Sequence, residues 1–123
     1  MKCTVFIATS LDGFIATPDG DVDWLDQVGD PSADLGEEAD MGFNKLMESV
    51  DCLIMGRKCM EKVASFNLTD EQWPYGNTRV FTLSNSLSEL PDSVKGKVEI
   101  VSGDIPSVIA KLESEGHEHA YVD

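Results

Sequence analysis

The chain has 123 residues, 41% of them apolar and 7% aromatic, which suffices for one compact domain and is too short for two. No apolar run approaches the roughly 20 residues that span a bilayer, and the N-terminal run lacks a small-residue cleavage site typical of a secretory signal. Nine basic and 23 acidic residues give a net charge of −14, a surface that repels phosphates and so makes nucleic acid and anionic membranes poor partners. We therefore expect a single cytoplasmic domain over residues 1–123.

The first predicted element is a strand at Cys3–Thr9, a compact apolar run with β-branched residues that is typical of a strand buried on both faces. Residues 12–38 form a long irregular segment, and segments of this length in small domains are often functional. Ten carboxylates fall between Asp12 and Asp40, without one Lys or Arg. We interpret them as a solvated acidic loop, with a site for neutral or amidine-like substrates as the alternative.

The remaining chain alternates strands and helices. Helical spacing predicts an amphipathic helix from Ala39 to Val50. Further along we predict strands at 52–55, 78–83, 98–101 and 120–122, and helices at 57–64 and after the Asp104 N-cap. This alternation implies crossover connections and a mainly parallel sheet. Because the chain stops three residues into the fifth strand, we expect a fragment that lacks its last strands.

The cysteines and histidines predict no metal site. Cys3, Cys52 and Cys59 are odd in number and lack CxxC spacing, so we expect buried, reduced thiols. His117 and His119 stand one residue apart, and no cysteine joins them at metal-ligand spacing. A surface loop is the expected location of both histidines.

Three strand ends carry residues suited to an anion, and ligands of open α/β sheets collect at such ends. Gly56, Arg57 and Lys58 place two cations at a helix start, where the helix dipole favours negative charge, so we expect an anion to complete the site. Short polar residues follow two further strands: Ser84, Asn85 and Ser102. Ordinary turn and cap chemistry is the alternative interpretation of these three.

Four segments in this order resemble the dihydrofolate reductase superfamily: Ala8–Ala16, Val22–Trp24, Leu53–Arg57 and Phe81–Asn85. Within it, the chain is most similar to small stand-alone proteins with a RibD C-terminal, riboflavin-reductase-like domain. The resemblance extends along nearly the whole chain. It implies a three-layer α/β/α fold, NADPH-dependent reduction and a homodimer.

The resemblance also implies roles for residues at the phosphate end of the cofactor. Gly56 and Arg57 match the pair that meets the ribose 2′-phosphate, which predicts NADPH over NADH. Ser84 and Asn85 match the segment that lines the adenosine end, and Ser102 matches a nearby position.

At the reacting end, Ala8 and Ile15 match positions that flank the nicotinamide. Trp24 matches a tryptophan near the mobile substrate loop, with a core anchor for that loop as the alternative. Asp40 lies 15 residues before Met55, the spacing of the family's catalytic carboxylate, which would hold an amidine edge and polarise the ring. The alternative for Asp40 is a role at the start of a helix.

Two features depart from the family pattern. Cys59 and Met60 stand where the family commonly has Thr and an aromatic residue, and the Gly-Gly pair expected after Asp123 is absent. The resemblance nevertheless implies an NADPH-dependent reductase acting on a small heterocycle or a ribosylaminopyrimidine, as in riboflavin biosynthesis. Dihydrofolate reductase proper and a non-catalytic nucleotide-binding or dimerisation module are the alternatives.

Overall fold

The computed structural model describes residues 1–29, 32–34, 36 and 39–123, so Asp30, Glu37 and Glu38 of the acidic segment lie outside it. Five strands and three α-helices lie within these residues: β1 Lys2–Val5, α1 Phe43–Ser49, β2 Cys52–Gly56, α2 Arg57–Ser65, β3 Arg79–Leu83, β4 Val98–Val101, α3 Ile105–Ser114 and β5 His119–Val122. Among them, no helix is long and apolar enough to cross a membrane.

The five strands form one parallel sheet in the order β1-β5-β2-β3-β4. β5 lies between β1 and β2, so that Ala120 pairs with Cys3 on one side and Cys52 on the other. The α/β class and the parallel sheet are thus confirmed. Because all strands run the same way, their carboxyl ends meet at one edge of the sheet.

Helices cover both faces of this sheet and complete three layers. The face that packs against α1 and α2 has a core that includes Leu53, Met55, Met60, Val80 and Tyr121. The opposite face packs against α3, and its core includes Ile54, Phe81, Val108, Leu112 and Ala120. β2, β3 and β5 contribute to both cores, as expected of parallel strands that read as continuous apolar runs.

The helix starts show which local signals decide the boundaries. α3 begins as predicted, with the Asp104 carboxylate accepting the Ser107 amide at 2.8 Å and a proline in the first turn. α1 begins at Phe43, four residues later than the predicted Ala39. Met41 and Gly42 have φ values of 54° and 88°, left-handed conformations that a helix cannot contain.

The prediction of a first strand buried on both faces is wrong. β1 spans only Lys2–Val5 and forms an edge of the sheet, where Val5 is 61% exposed and the following Ile7 is 57% exposed. One side of this segment is packed, because the Phe6 ring lies 5.5 Å from that of Phe43. The other side carries the exposed Val5 and Ile7, over which none of the described helices or strands packs.

Candidate functional site

The carboxyl ends of β3 and β4 bring together three of the residues predicted to bind the cofactor. The Ser102 hydroxyl donates to the Ser84 carbonyl at 2.7 Å, and the Gly103 amide donates to Asn85 Oδ1 at 2.8 Å. The chain leaves β3 toward the face of α2 and leaves β4 into α3 on the opposite face. Open α/β sheets commonly bind ligands at strand ends where the connections diverge in this way.

These hydrogen bonds also support the alternative of turn chemistry. Ser84 Oγ accepts the amides of Ser86 and Leu87 at 3.3 and 3.0 Å, so it caps the turn that follows β3. The exposed Asn85 Nδ2 makes no hydrogen bond within the described residues and keeps two donors for a ligand. The turns after β3 and β4 are therefore braced by hydrogen bonds, and the exposed Asn85 amide is open to a polar group.

The start of α2 has uncapped backbone amides and two neighbouring cations, as an anion site would, but one of these cations is already paired with a glutamate. Gly56 is its N-cap and supplies no side-chain acceptor, so the first-turn amides of this nine-residue helix have no capping group. Arg57 Nη1, however, donates to Glu61 Oε1 at 2.7 Å, with each side chain 42% exposed. An anion at this position competes with Glu61 for Arg57. Lys58 is exposed and forms no ion pair among the described residues.

A carboxylate that the sequence analysis did not identify lies at the end of β5. Asp123 Oδ2 accepts the Cys59 thiol at 3.3 Å and the Tyr75 hydroxyl at 3.2 Å, while Oδ1 accepts the Tyr121 hydroxyl at 2.9 Å. Burial, with the Asp123 charge adding to it, raises the pKa of Cys59 to about 12. The same two causes raise the pKa of Tyr75 and Tyr121, so all three groups stay protonated donors at neutral pH.

This cluster joins the first turn of α2 and the loop of Tyr75 to the end of β5. The rule that strand ends carry functional groups would have found Asp123, since it directly follows the predicted fifth strand. Nothing in the local sequence marks Tyr75 as its partner, because 48 residues separate the two.

The N-terminal segment brings Ile15 and Trp24 together. Trp24 Nε1 donates to the Ile15 carbonyl at 3.3 Å, and the half-buried indole lines a cavity of about 230 Å³ with Phe14 and Asp12. This contact supports the interpretation of Trp24 as an anchor of the long loop. The cavity beside the indole is consistent with its other predicted role, near a substrate, which stays a prediction. Ala8 is exposed and lies outside the residues that line this cavity.

Asp40 braces the start of α1. Its Oδ2 accepts the Asn44 amide at 2.7 Å and its Oδ1 accepts the Gly42 amide at 3.0 Å. The hydrogen bond from the Asn44 amide, and to a smaller extent that from the Gly42 amide, lowers the pKa of Asp40. No hydrogen bond among the described residues joins Asp40 to Arg57 or Ser84. The helix-start role fits this geometry, and the catalytic role of Asp40 stays a prediction.

The expected burial of Cys3 is wrong, and so is the expected surface loop for His119, while His117 does lie in the loop between α3 and β5 but is largely buried. Cys3 is exposed, whereas Cys52 is fully buried. The His117 side chain is only 10% exposed, and its Nδ1 lies 3.1 Å from Asp51 Oδ1. His119 is part of β5, where its Nε2 lies 2.9 Å from the Thr4 hydroxyl.

Asp51, Cys52 and His117 place a carboxylate, a thiol and an imidazole within 4.8 Å of one another. The hydrogen bonds of this cluster nevertheless connect neighbouring parts of the fold, which is a structural role. Asp51 Oδ2 accepts the amides of Glu118 and His119, and Arg79 Nη1 lies 3.2 Å from His117 Nε2. Burial raises the pKa of Cys52 to about 12, so the thiol is protonated at neutral pH in the absence of a metal ion.

A larger cavity, of about 530 Å³, lies at the amino ends of β3 and β4, on the sheet edge opposite the predicted site. Its two cations are already neutralised, because Arg79 pairs with Glu99 and Lys97 pairs with Asp70 at 2.8 Å. The carboxyl ends of the strands agree better with an anionic ligand, since the start of α2 combines uncapped amides with Lys58, which forms no ion pair among the described residues.

Comparison with known proteins agrees with this architecture. A solved structure of a "putative riboflavin biosynthesis protein" from Shewanella sp. PV-4 superposes with a TM-score of 0.81 and 43% identity, covering all of this chain and 64% of that one. An uncharacterized protein of Bacillus subtilis (strain 168), YwjB, is 29% identical over 122 residues, which are 98% of this chain and 62% of that protein. The chain thus spans a little under two thirds of the length of both relatives. The model of the RibD C-terminal domain family matches residues 1–121, and the chain belongs to that family.

Proposed function

We propose that this chain binds NADPH at the carboxyl ends of β2, β3 and β4 and is a reductase. Its substrate would be a small heterocycle or a ribosylaminopyrimidine of the kind used in riboflavin biosynthesis. The observation that carries the proposal is the uncapped start of α2, where Arg57 and Lys58 stand side by side in a chain of net charge −14. Membership of the RibD C-terminal domain family supports the same activity.

The residues at this edge fit the phosphate end of such a cofactor. The amides at the start of α2 have no capping side chain, and a Cβ built on Gly56 meets nothing within 4 Å, so a phosphate has room to approach. Arg57 can present a bidentate fork to a phosphate once it leaves Glu61. Lys58 adds a second positive charge, and Asn85 Nδ2 offers a donor.

Each predicted residue then has a role in the reaction, and the bound NADPH supplies the hydride. Arg57 and Lys58 hold the 2′-phosphate, and Ala8 and Ile15 border the nicotinamide. Trp24 lies on the substrate side. The adenosine end is held by Ser84, Asn85 and Ser102. Because a carboxylate has about four acceptor positions and Asp40 uses two for backbone amides, two remain for the donor edge of a substrate.

One observation favours a second candidate, a module that binds the nucleotide without turnover. Both carboxylate oxygens of Asp40 are committed to the start of α1, which is a sufficient structural reason for this residue. In this alternative the phosphate contacts at α2 are unchanged, while no substrate consumes NADPH.

Thermal-shift titrations with NADPH and NADH test the proposal. A ligand at about 100 times its Kd stabilises the folded state by about 2.7 kcal/mol. We expect a larger shift with NADPH, and Arg57→Ala should weaken NADPH binding about tenfold or more, since hydrogen bonds to charged groups contribute about 1.5–3 kcal/mol. Lys111→Ala is the matched control, because Lys111 also faces a glutamate four residues on, Glu115, but lies on α3.

Three results would count against the proposal: no shift with either nucleotide, equal shifts with both, or equal losses in Arg57→Ala and Lys111→Ala. Consumption of NADPH with pterin and ribosylaminopyrimidine substrates then separates the two candidates. Turnover that Asp40→Asn abolishes, with NADPH binding retained, identifies the reductase. Saturable binding without turnover on any of these substrates identifies the module.

A further inference from the structure

The amino ends of the strands hold a cluster of three different metal-ligating groups. The Asp51 carboxylate, the Cys52 thiol and the His117 imidazole lie within 4.8 Å of one another, at the start of β2 and in the loop before β5. Spacing rules do not identify this cluster, since 66 positions separate Asp51 from His117. Cys52 is fully buried and the His117 side chain is 10% exposed, whereas that of Asp51 is 42% exposed. The cluster thus extends from the interior of the sheet to one solvent-facing carboxylate, past which an ion can enter.

The hydrogen bonds of this cluster determine which nitrogen of His117 carries the proton. Arg79 Nη1 lies 3.2 Å from His117 Nε2, and a guanidinium only donates, so Nε2 is the acceptor and Nδ1 carries the proton. Nδ1 then donates to Asp51 Oδ1 at 3.1 Å, and the Cys52 thiol donates to the same carboxylate. Two protons therefore join three groups that a divalent cation can join instead.

The spacing of these atoms is close to that of a tetrahedral zinc site. Zinc bonds of about 2.0–2.1 Å to oxygen and nitrogen, at tetrahedral angles, place those two ligand atoms about 3.3 Å apart. The 3.1 Å between His117 Nδ1 and Asp51 Oδ1 is near this value. A thiolate ligand stands about 3.6 Å from the other two, so separations of up to 4.8 Å have to close by no more than about 1.2 Å.

We propose that Asp51 Oδ1, Cys52 Sγ and His117 Nδ1 bind a zinc ion that joins the loop before β5 to the start of β2. A thiolate, an imidazole and a carboxylate together form a ligand set that suits Zn²⁺, and the two anionic ligands neutralise its charge. Three protein ligands leave a fourth position for water. Asp51 Oδ2 continues to accept the amides of Glu118 and His119 at 2.8 and 3.0 Å, which holds the carboxylate in place.

Zinc binding changes the protonation of Cys52 and His117 and leaves Arg79 with its other partners. The thiol proton of Cys52 leaves to solvent, and the imidazole proton of His117 moves from Nδ1 to Nε2, so one proton is released per zinc ion. Arg79 turns from Nε2 but keeps two hydrogen bonds to Glu99, at 2.9 and 3.0 Å. The second nitrogen of a metal-bound histidine usually donates to a carboxylate. Glu115 Oε2, which accepts the same Nη1 at 3.0 Å, is suited to this role.

Cobalt titration of the metal-free chain tests the site directly, because Co²⁺ takes the same ligands as Zn²⁺ and absorbs visible light. A tetrahedral site with a thiolate gives intense visible bands and a sulfur-to-cobalt charge-transfer band in the near ultraviolet, whereas hydrated Co²⁺ absorbs only weakly. We expect both kinds of band, saturating at one equivalent, and their loss when Zn²⁺, which binds more tightly, displaces the cobalt. A titration of the unchanged chain without these bands overturns the proposal.

A variant and its matched control identify the thiolate ligand. Cys52→Ser should remove the charge-transfer band. Cys59→Ser should keep it, since Cys59 is likewise a thiol with a pKa of about 12 beside an aspartate, Asp123, but its hydrogen bond involves no histidine. The same band in Cys52→Ser as in the unchanged chain, or equal losses in Cys52→Ser and Cys59→Ser, rejects the assignment.

A third variant keeps the test decisive if Cys52→Ser, a change in the core, does not fold. His117→Gln keeps a polar side chain and removes the imidazole ligand. It should weaken cobalt binding about a hundredfold or more, because loss of even an outer partner of a metal ligand costs about 10–100-fold. Unchanged cobalt affinity in His117→Gln, with folding verified by circular dichroism, overturns the proposal. The cluster lies on the sheet edge opposite the start of α2, so these results stand whether or not the chain binds NADPH.

Discussion

The pair of Arg57 and Glu61 gives the sharpest prediction about the phosphate site. Glu61→Gln keeps the shape of the side chain and removes its charge, so Arg57 loses the carboxylate that holds it at 2.7 Å. The cost to stability is small, about 0.3–0.5 kcal/mol, because exposed pairs four residues apart on a helix contribute no more. The effect on an anionic ligand has the opposite sign and is larger.

Two contributions set the size of this effect. A phosphate no longer has to displace the glutamate, which recovers about 0.3–0.5 kcal/mol. It also no longer meets a negative charge about 6 Å away, a repulsion of about 0.7 kcal/mol in water. Together these favour binding by about 1 kcal/mol, which is about a fivefold lower Kd. NADH, which lacks the 2′-phosphate, should gain much less.

Titration calorimetry with both nucleotides measures this difference directly. Glu89→Gln is the matched control, because Glu89 also holds a cation, Lys95, at 2.9 Å, and the variant changes the net charge equally. An increase in NADPH affinity shared by both variants would mean that only overall charge matters. Unchanged or weaker binding in Glu61→Gln would refute the assignment of Arg57 to the phosphate.

Two further predictions concern stability and reactivity. Hydrogen bonds from the Glu118 and His119 amides lower the pKa of Asp51 despite the opposing effect of its burial. Because this pKa lies below its unfolded value of about 3.9, the contribution of Asp51 is present above that pH and is lost as the pH falls through the folded value. In the Asp51→Asn variant, the melting temperature should therefore fall less steeply as the pH is lowered into the acid range. A variant whose melting temperature is lower by the same amount at every pH would contradict this prediction. Alkylation at pH 8, followed by mass spectrometry, should label the exposed Cys3 first, since pKa values of about 12 protect Cys52 and Cys59; equal labelling of all three would contradict the structure.

The elements that local patterns define were predicted closely. β2 occupies its predicted position because a parallel strand buried on both faces reads as an uninterrupted apolar run. The edge strand β4 is predicted by its β-branched residues, Val98, Ile100 and Val101. α3 begins where Asp104 caps it. These signals lie within a few residues of the element they define, so no knowledge of the remaining fold is needed.

The errors concern properties that depend on distant neighbours. The predicted first strand, Cys3–Thr9, is an apolar run like β2, yet Val5 and Ile7 are exposed because no helix or strand among the described residues packs over them. The contacts of Asp123 with Cys59 and of His117 with Asp51 join residues 64 and 66 positions apart. Rules based on sequence spacing identify residues that are close in the sequence. They therefore predict where strands end, but they do not predict which distant residues contact those strand ends.

The net charge makes cofactor binding respond to ionic strength in two opposed ways. At −14, the chain as a whole repels an anionic cofactor. Screening over a Debye length of about 10 Å at 0.1 M salt weakens this long-range repulsion, which favours binding. The proposed contact of Arg57 with a phosphate is itself electrostatic, so salt weakens that contact as well. The net effect of salt on cofactor binding is therefore the smaller difference of two opposed effects, and Arg57→Ala, which removes the attractive contact, should leave binding that strengthens with salt.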